Sequence, residues 1–342
     1  MSSIDKELLE VIKTNPFALE QVQEQTRDVC LVAVQQDGYA LCFVQEQTED
    51  ICLAAVQNRG VALEYVKVQT YTICESAVRQ DGLALQFVKD QDRELCLLAI
   101  QQNYAALQFV KEQTEDICVF ALKQSSWAFM YIRVQTPLLC LMAVEGNWMN
   151  LRYVKEQTEE LCLLAVKQSG AALPFIKNQT IKICLAAVGK QDRAIRFIRK
   201  QTEEICLLAV KGDGLSLRYV RKQTEEICLA AVKENGMALE FVHNQTEQIC
   251  IEAIKQNVMS FLFVREQTSQ ICLLAVRHCG MFLELVHNQT EQICVEAVKQ
   301  DGLALKFVRE QTVDICSFAL EQNPESSKFI KPELYRYYIK YL

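Results

Sequence analysis

The stretch Gln223–Val232 reads QTEEICLAAV. Nearly the same words stand at 201–210, QTEEICLLAV, and at 47–56, QTEDICLAAV. The cysteine of the phrase recurs at Cys30, Cys52, Cys74, Cys96, Cys118, Cys140, Cys162, Cys184, Cys206, Cys228, Cys250, Cys272, Cys294 and Cys316, every 22 residues without insertion or deletion. A constant period of this size marks a stack of identical supersecondary units, none of which can bury its apolar face alone. Fourteen copies tile residues 21–328; a degenerate half-unit or cap, 1–20, precedes them, and a capping segment, 329–342, follows.

Each copy reads as two short helices joined by a turn. The Thr of the QT pair is an N-cap residue. Acids such as Glu203 and Glu204 follow it, where they complement the positive helix end. Ile205, Cys206, Ala209 and Val210 then form a helical stripe. Turns such as Gln80–Gly82 and Glu234–Gly236 stop the helix, with Gly expected in a left-handed C′ conformation. The second helix, near Leu83–Lys89, could be α or 3₁₀. The fold class that follows is an all-α solenoid, a superhelix of about fourteen helix-turn-helix repeats.

Half of the 342 residues are hydrophobic and the formal charge is −7, which disfavours a bulk nucleic-acid binder. The longest apolar run, Leu138 to Val144, is far short of the roughly 20 residues that span a bilayer. The first residues lack the basic start and apolar core of a secretion signal. A soluble, cytoplasmic protein without membrane contact is expected. One cysteine per layer suits a column of reduced core thiols: helices pack about 8–10 Å apart, and a disulfide needs Cα atoms within about 7 Å. No metal site or cofactor is expected.

Several columns recur besides the cysteines. Ala, as at Ala55, fills all fourteen copies and allows close helix approach. Gln before the Thr, as at Gln47, also fills all fourteen; a partly buried amide requires partners, so it should bond backbone between repeats. Thr, as at Thr48, fills thirteen, and Asp92, another capping residue, replaces it once. A basic column runs Lys67, Lys89, Lys111, Arg133, Lys155, Lys177, Arg199, Arg221, Arg265, Arg309 and Lys331, with His243 and His287 in its gaps. It could track phosphates, but the acids four or five residues later suggest a salt-bridged exterior. His278, Cys279 and His287 lie close in sequence; His287 belongs to the basic column and His278 stands where other copies carry Gln, so catalysis there is not expected. The sequons at Asn178, Asn244 and Asn288 arise only because Asn precedes the Gln-Thr column.

The pattern breaks most between residues 104 and 148. The turn Gly becomes Tyr104, Ser126 and Trp148. Both tryptophans, Trp127 and Trp148, are expected on one turn ridge of adjacent layers. Met130, Val134 and Leu138 replace polar residues. Aromatic residues concentrate at binding hot spots, so Tyr104, Trp127, Met130, Val134, Leu138 and Trp148 form a candidate partner-binding patch. At the other end Ser326 and Ser327 replace a core Ala-Leu pair, and PELYRYYIKYL is expected to cap the stack. The shared HNQTEQIC at 243–250 and 287–294 points to duplication of a two-repeat block, hard to reconcile with one catalytic constellation.

The unit ICLAAVKENGMALEFVHNQT at 227–246 resembles helical repeats of unknown function in proteins of mimivirus-type giant viruses of amoebae. It is more distantly similar to leucine-rich-variant repeats, which alternate an α-helix with a shorter second helix. The first resemblance implies a viral setting and hence a host cytoplasm; neither supplies catalytic residues. The expected function is a non-enzymatic protein-interaction scaffold. The alternative is a nucleic-acid or polyanion binder using the basic column.

Overall fold

The computed structural model describes residues 3–338. The chain divides within the helix Glu159–Gln168 into two compact units, 1–165 and 166–342. The first unit opens with the helix Ser3–Thr14 and the 3₁₀ helix Pro16–Gln21. A ten-residue α-helix, first seen at Arg27–Gln36, then recurs every 22 residues to Pro137–Gly146. A six-residue 3₁₀ helix follows each, from Gly38–Phe43 to Trp148–Tyr153. The second unit repeats this alternation from the 3₁₀ helix Gly170–Phe175 and the α-helix Ile181–Lys190 to Val313–Gln322 and Pro324–Phe329. It closes with the helix Pro332–Tyr338. No strand occurs among the described residues, and within each unit most helices pack on their counterparts in the next repeat, so the fold is an all-α solenoid.

The core is one short list repeated. Ile51, Cys52, Ala55 and Val56 come from the α-helix, and Ala62, Leu63 and Val66 from the 3₁₀ helix and the residue after it; all are buried. The same positions are buried one repeat later at Ile73, Cys74, Ala77, Val78, Ala84, Leu85 and Val88. A single extended residue joins the two helices. Asp37 has φ −144° and ψ 119°, ends the first helix by donating its N–H to Ala33 O, and starts the second by accepting from the Tyr39 N–H.

The second helix is 3₁₀ because its neighbour takes a donor away. Val44 N–H bonds Leu41 O, an i→i+3 link. An α-helix would send the next donor, Gln45 N–H, back to Leu41 O, but Gln25 Oε1 of the preceding repeat captures it at 3.0 Å. Gln47 captures Lys67 N–H one repeat on, at 2.9 Å.

The turn glycines have a different reason from the expected one. No residue among those described has positive φ, so no left-handed C′ glycine ends these helices. Gly38, Gly60 and Gly82 are the first residues of their 3₁₀ helices, pressed against the next repeat. A Cβ on any of them would lie 2.4 Å from a backbone carbonyl, that of Ala55, Ala77 or Ala99. Close approach rather than backbone freedom requires glycine here.

Candidate functional site

Gln is the hub of each junction. Gln47 Nε2 donates to Tyr65 O, 18 residues on, at 2.9 Å and to Leu41 O, six residues back, at 3.4 Å, while Oε1 accepts Lys67 N–H. Gln91 makes the same three bonds to Phe109 O, Leu85 O and Lys111 N–H. Gln223 does so to Phe241 O, Leu217 O and His243 N–H. The Cys52 thiol points at Gln47 Oε1, 3.8 Å away. Ala55 is fully buried, and its carbonyl is the atom against which Gly38 is pressed.

Thr works in two directions. Thr224 Oγ1 accepts Ile227 N–H as a cap and donates to Glu203 of the preceding repeat at 3.0 Å. Thr70, Thr136, Thr246 and Thr312 likewise donate to Glu49, Glu115, Glu225 and Glu291. Thr48 instead donates to Asp50, and Thr114 to Asp116. Those hydroxyls, helped by Arg27 and Arg93, hold the two carboxyls below the usual aspartate range. Asp92 caps its helix from Oδ1 at 2.8 Å.

The basic column engages mainly the backbone, where a salt-bridged exterior was expected from sequence. Its side chains donate to backbone carbonyls one repeat back. Lys67 Nζ bonds Gln45 O, Lys89 bonds Lys67 O, Lys111 bonds Lys89 O, and Arg133 reaches Lys111 O and Gln108 O. Lys155 bonds Arg133 O. In the second unit Arg199 bonds Lys177 O, Arg221 bonds Arg199 O and Ile198 O, Arg265 bonds His243 O, Arg309 bonds His287 O and Val286 O, and Lys331 bonds Arg309 O. In several repeats the acid at the helix start already accepts a Thr hydroxyl, as Glu203 does from Thr224 and Glu225 from Thr246. Other cations form carboxylate pairs, as in Arg93–Asp116, Arg193–Asp213 and Arg277–Glu296.

The six residues of the broken region split into two groups. Trp127 and Met130 are exposed and three apart on the 3₁₀ helix Ser126–Tyr131, so they share a face. Val134, 72% exposed, follows in the turn, and Leu138, 49% exposed, opens the next helix. Leu141, one turn beyond Leu138, is exposed too and extends the apolar surface. Tyr104 and Trp148 are half-buried and occupy the turn-glycine position. The shared tryptophan ridge is therefore corrected: Trp148 is the first residue of its 3₁₀ helix and Trp127 the second of its own, so their side chains leave at different angles. Where Tyr104 or Val258 takes the glycine's place, the next α-helix packs against that 3₁₀ helix over a much smaller contact.

Sequence reading missed a coupled exchange at this junction. In the regular repeats a glycine N–H donates to a Gln of the next repeat, as Gly82 does to Gln102 Oε1 at 2.7 Å. Where Ser126 replaces the glycine, the facing residue is Gly146, and a Cβ there would lie 2.8 Å from Ser126 Cβ. Buried Asn150, in place of the column Ala, bridges the same gap by donating to Ser126 O and Ala143 O. The second unit repeats the exchange, with Asp192 against Gly212 and buried Ser216 in place of Ala. The signal lies in the sequence as two departures 20 residues apart, but only packing shows that they touch.

All sixteen cysteines are free thiols; the fourteen of the column are buried, Cys42 is exposed and Cys279 half-buried. Burial pushes the column thiols up, Cys96, Cys162, Cys228, Cys250, Cys294 and Cys316 to about 11. Among the described residues no group of three His, Cys, Asp or Glu could hold a metal ion, and His278, Cys279 and His287 do not form one. No described helix is long and apolar enough to cross a membrane. At the C-terminal end Tyr335 OH bonds Ser327 O, tying the last helix to the preceding 3₁₀ helix; residues 339–342 of the expected cap lie outside the described residues.

Stacked helix pairs, a shared amide hub and a repeated core define an α-helical tandem-repeat protein. A family model described as a domain of unknown function (DUF4116) matches it three times, over residues 71–114, 202–246 and 224–267. A repeat family of unknown function thus fits the chain. No curated protein and no solved structure matches it.

Proposed function

We propose that the protein is a non-enzymatic scaffold that binds another protein through the apolar surface formed by Trp127, Met130, Val134, Leu138 and Leu141. One observation carries the reading. At the corresponding positions of the preceding repeat, Gln108, Glu112 and Asp116 stand where Met130, Val134 and Leu138 are exposed. The fold does not need apolar residues there, and exposed aliphatic and indole surface favours contact with a partner. The thiols support a binding role rather than nucleophilic chemistry, since burial keeps the column protonated near neutrality. Sixteen free cysteines suit a reducing, cytoplasmic setting, and the sequence resemblance suggests that of a virus-infected cell.

The test restores the repeat pattern. Met130→Gln, Val134→Glu and Leu138→Asp together place residues that the neighbouring repeat already carries, so the helical signal should be unchanged. Partners captured by the wild-type chain in lysate treated with nuclease should be lost with the triple variant. Unchanged capture would refute the assignment of this surface.

Polyanion binding along the whole basic column is less favoured. Over Lys89, Lys111 and Lys155 the next residue is Asp90, Glu112 or Glu156, and residues 1–165 hold 23 acids against 13 Lys and Arg.

A further inference from the structure

The stretch 177–222 is the exception to that balance. It contains 11 Lys and Arg against four acids, in a chain whose formal net charge is −7. The position after the column cation, acidic at Asp90, Glu112, Glu156, Glu266 and Glu310, becomes Asn178, Lys200, Lys222 and Asn244. All four are exposed, as are Arg196, Arg199, Arg218 and Arg221. We propose that this face of the second unit binds a single strand of nucleic acid through its phosphodiester backbone.

Three features point to that ligand. First, the cations stand in line at fixed intervals. Arg221 is tied to Arg199 O and Ile198 O, and Arg199 to Lys177 O, so one column cation per repeat is held in place, with Lys200 and Lys222 beside the two arginines. A regular row of anchored cations matches a polymer with one negative charge per monomer. Second, a groove of about 310 Å³ opens between these repeats, lined by Thr202, Arg221, Lys222 and Thr224, with Glu203 its one carboxylate, already accepting the Thr224 hydroxyl. The equivalent grooves of the first unit lean acidic: Asp90 and Asp92 line one without a cation, and Asp92, Glu112 and Asp116 outnumber Arg93 and Lys111 in another. Third, the Arg218 guanidinium lies 5.4 Å from the Tyr219 ring and 5.2 Å from that of Phe241, and Arg196 lies 4.4 Å over Phe197. A guanidinium backed by an aromatic ring and open to solvent on its other side is a platform for an unstacked base. The apolar floor of the groove, Cys206 and Ile227, is buried, so nothing there inserts into a lipid layer. An acidic peptide would make no use of the platforms.

The test uses the full chain and fluorescence anisotropy with labelled 15-nucleotide oligo-uridine and oligo-thymidine, titrated with potassium chloride. Five phosphate contacts, from Lys177, Arg199, Lys200, Arg221 and Lys222, give an expected slope of log K against log salt of about −3.5. Lys200→Glu/Lys222→Glu should weaken binding at low salt by about tenfold or more and flatten the slope by about 1.4. Both positions carry acids in other repeats, so the variant should keep its helical spectrum. Lys200→Arg/Lys222→Arg should bind like the wild type, and Lys123→Glu in the first unit should change nothing. No binding at low salt, or a double-Glu variant as tight as the wild type, overturns the proposal. So does tighter binding of poly-glutamate, or of vesicles with 30% phosphatidylserine in phosphatidylcholine, either of which would reassign the face to an acidic protein or a membrane.

Discussion

Replacing Gly82 by Ser puts the glycine argument to a quantitative test. The new Cβ would sit 2.4 Å from Ala99 O, 2.8 Å from Gln102 Oε1 and 3.2 Å from Asn103 N. The first and last are backbone atoms of the next repeat, so the two repeats must move apart by close to an ångström. Forcing atoms into a packed core costs about 1–3 kcal/mol. The shift also stretches the 2.7 Å bond from Gly82 N–H to Gln102 Oε1, worth about 1 kcal/mol. The expected loss is about 2–4 kcal/mol, read as a lower midpoint in urea denaturation followed by circular dichroism. The exchange seen at Ser126/Gly146 and at Asp192/Gly212 adds a sharper expectation. Gln102→Gly alone should cost about 2 kcal/mol, from helix propensity and the lost hydrogen bond. The double variant Gly82→Ser/Gln102→Gly should cost less than the sum of the two, by at least about 1 kcal/mol. Gly189→Ala is the control: it lies inside the helix Ile181–Lys190, an added Cβ there meets nothing within 4 Å, and it should stabilise by about 0.5–1 kcal/mol. Strict additivity, or a Gly82→Ser variant as stable as the wild type, would refute the close-approach reasoning.

Other expectations follow from the same junctions. Gln69→Leu strips partners from Phe87 O and Lys89 N–H and should cost about 2–4 kcal/mol by urea denaturation. Asp92→Thr should be nearly neutral, and Asp92→Ala should lose about 1 kcal/mol through the missing cap. The column thiols are raised by burial from an ordinary value of 9.0, six of them, Cys96, Cys162, Cys228, Cys250, Cys294 and Cys316, to about 11, and they make stability fall on the alkaline side. Below pH 9 they are protonated in both states; between about pH 9 and 11 they ionise only when unfolded, which favours unfolding as pH rises. Melting temperature should therefore hold near neutrality and drop steeply across that window, and a flat profile to pH 11 would contradict it. A thiol-reactive chromophore at pH 8 should label at most Cys42 and Cys279 quickly, the other fourteen reacting only in denaturant.

The period, the helix pair, the Ile-Cys-Ala-Val core and the Thr cap are local in origin. Each depends on residues within one repeat or on a 22-residue spacing that can be counted, so the sequence states them openly. The exposed character of Met130, Val134 and Leu138 could also be read there, because neighbouring repeats show polar residues in the same register. Trp148 could have been separated from Trp127 by counting alone, since it falls 22 residues after Ser126.

Other features exist only between repeats. The second helix is 3₁₀ because Gln25 Oε1 takes the Gln45 N–H from 20 residues away. The turn glycines keep negative φ and are small because Ala carbonyls of the next repeat press on them. Column cations such as Lys111 and Arg221 bond carbonyls 22 residues back in sequence. The charge reversal at 177–222 is plain in composition, yet its meaning depends on stacking, which ties Arg221 to Arg199 O and sets Arg221 and Lys222 along one groove. A linear reading ranks neighbours by sequence distance. In a stack the nearest atoms are 18 to 24 residues away, so polar partners and close contacts are settled when the repeats dock.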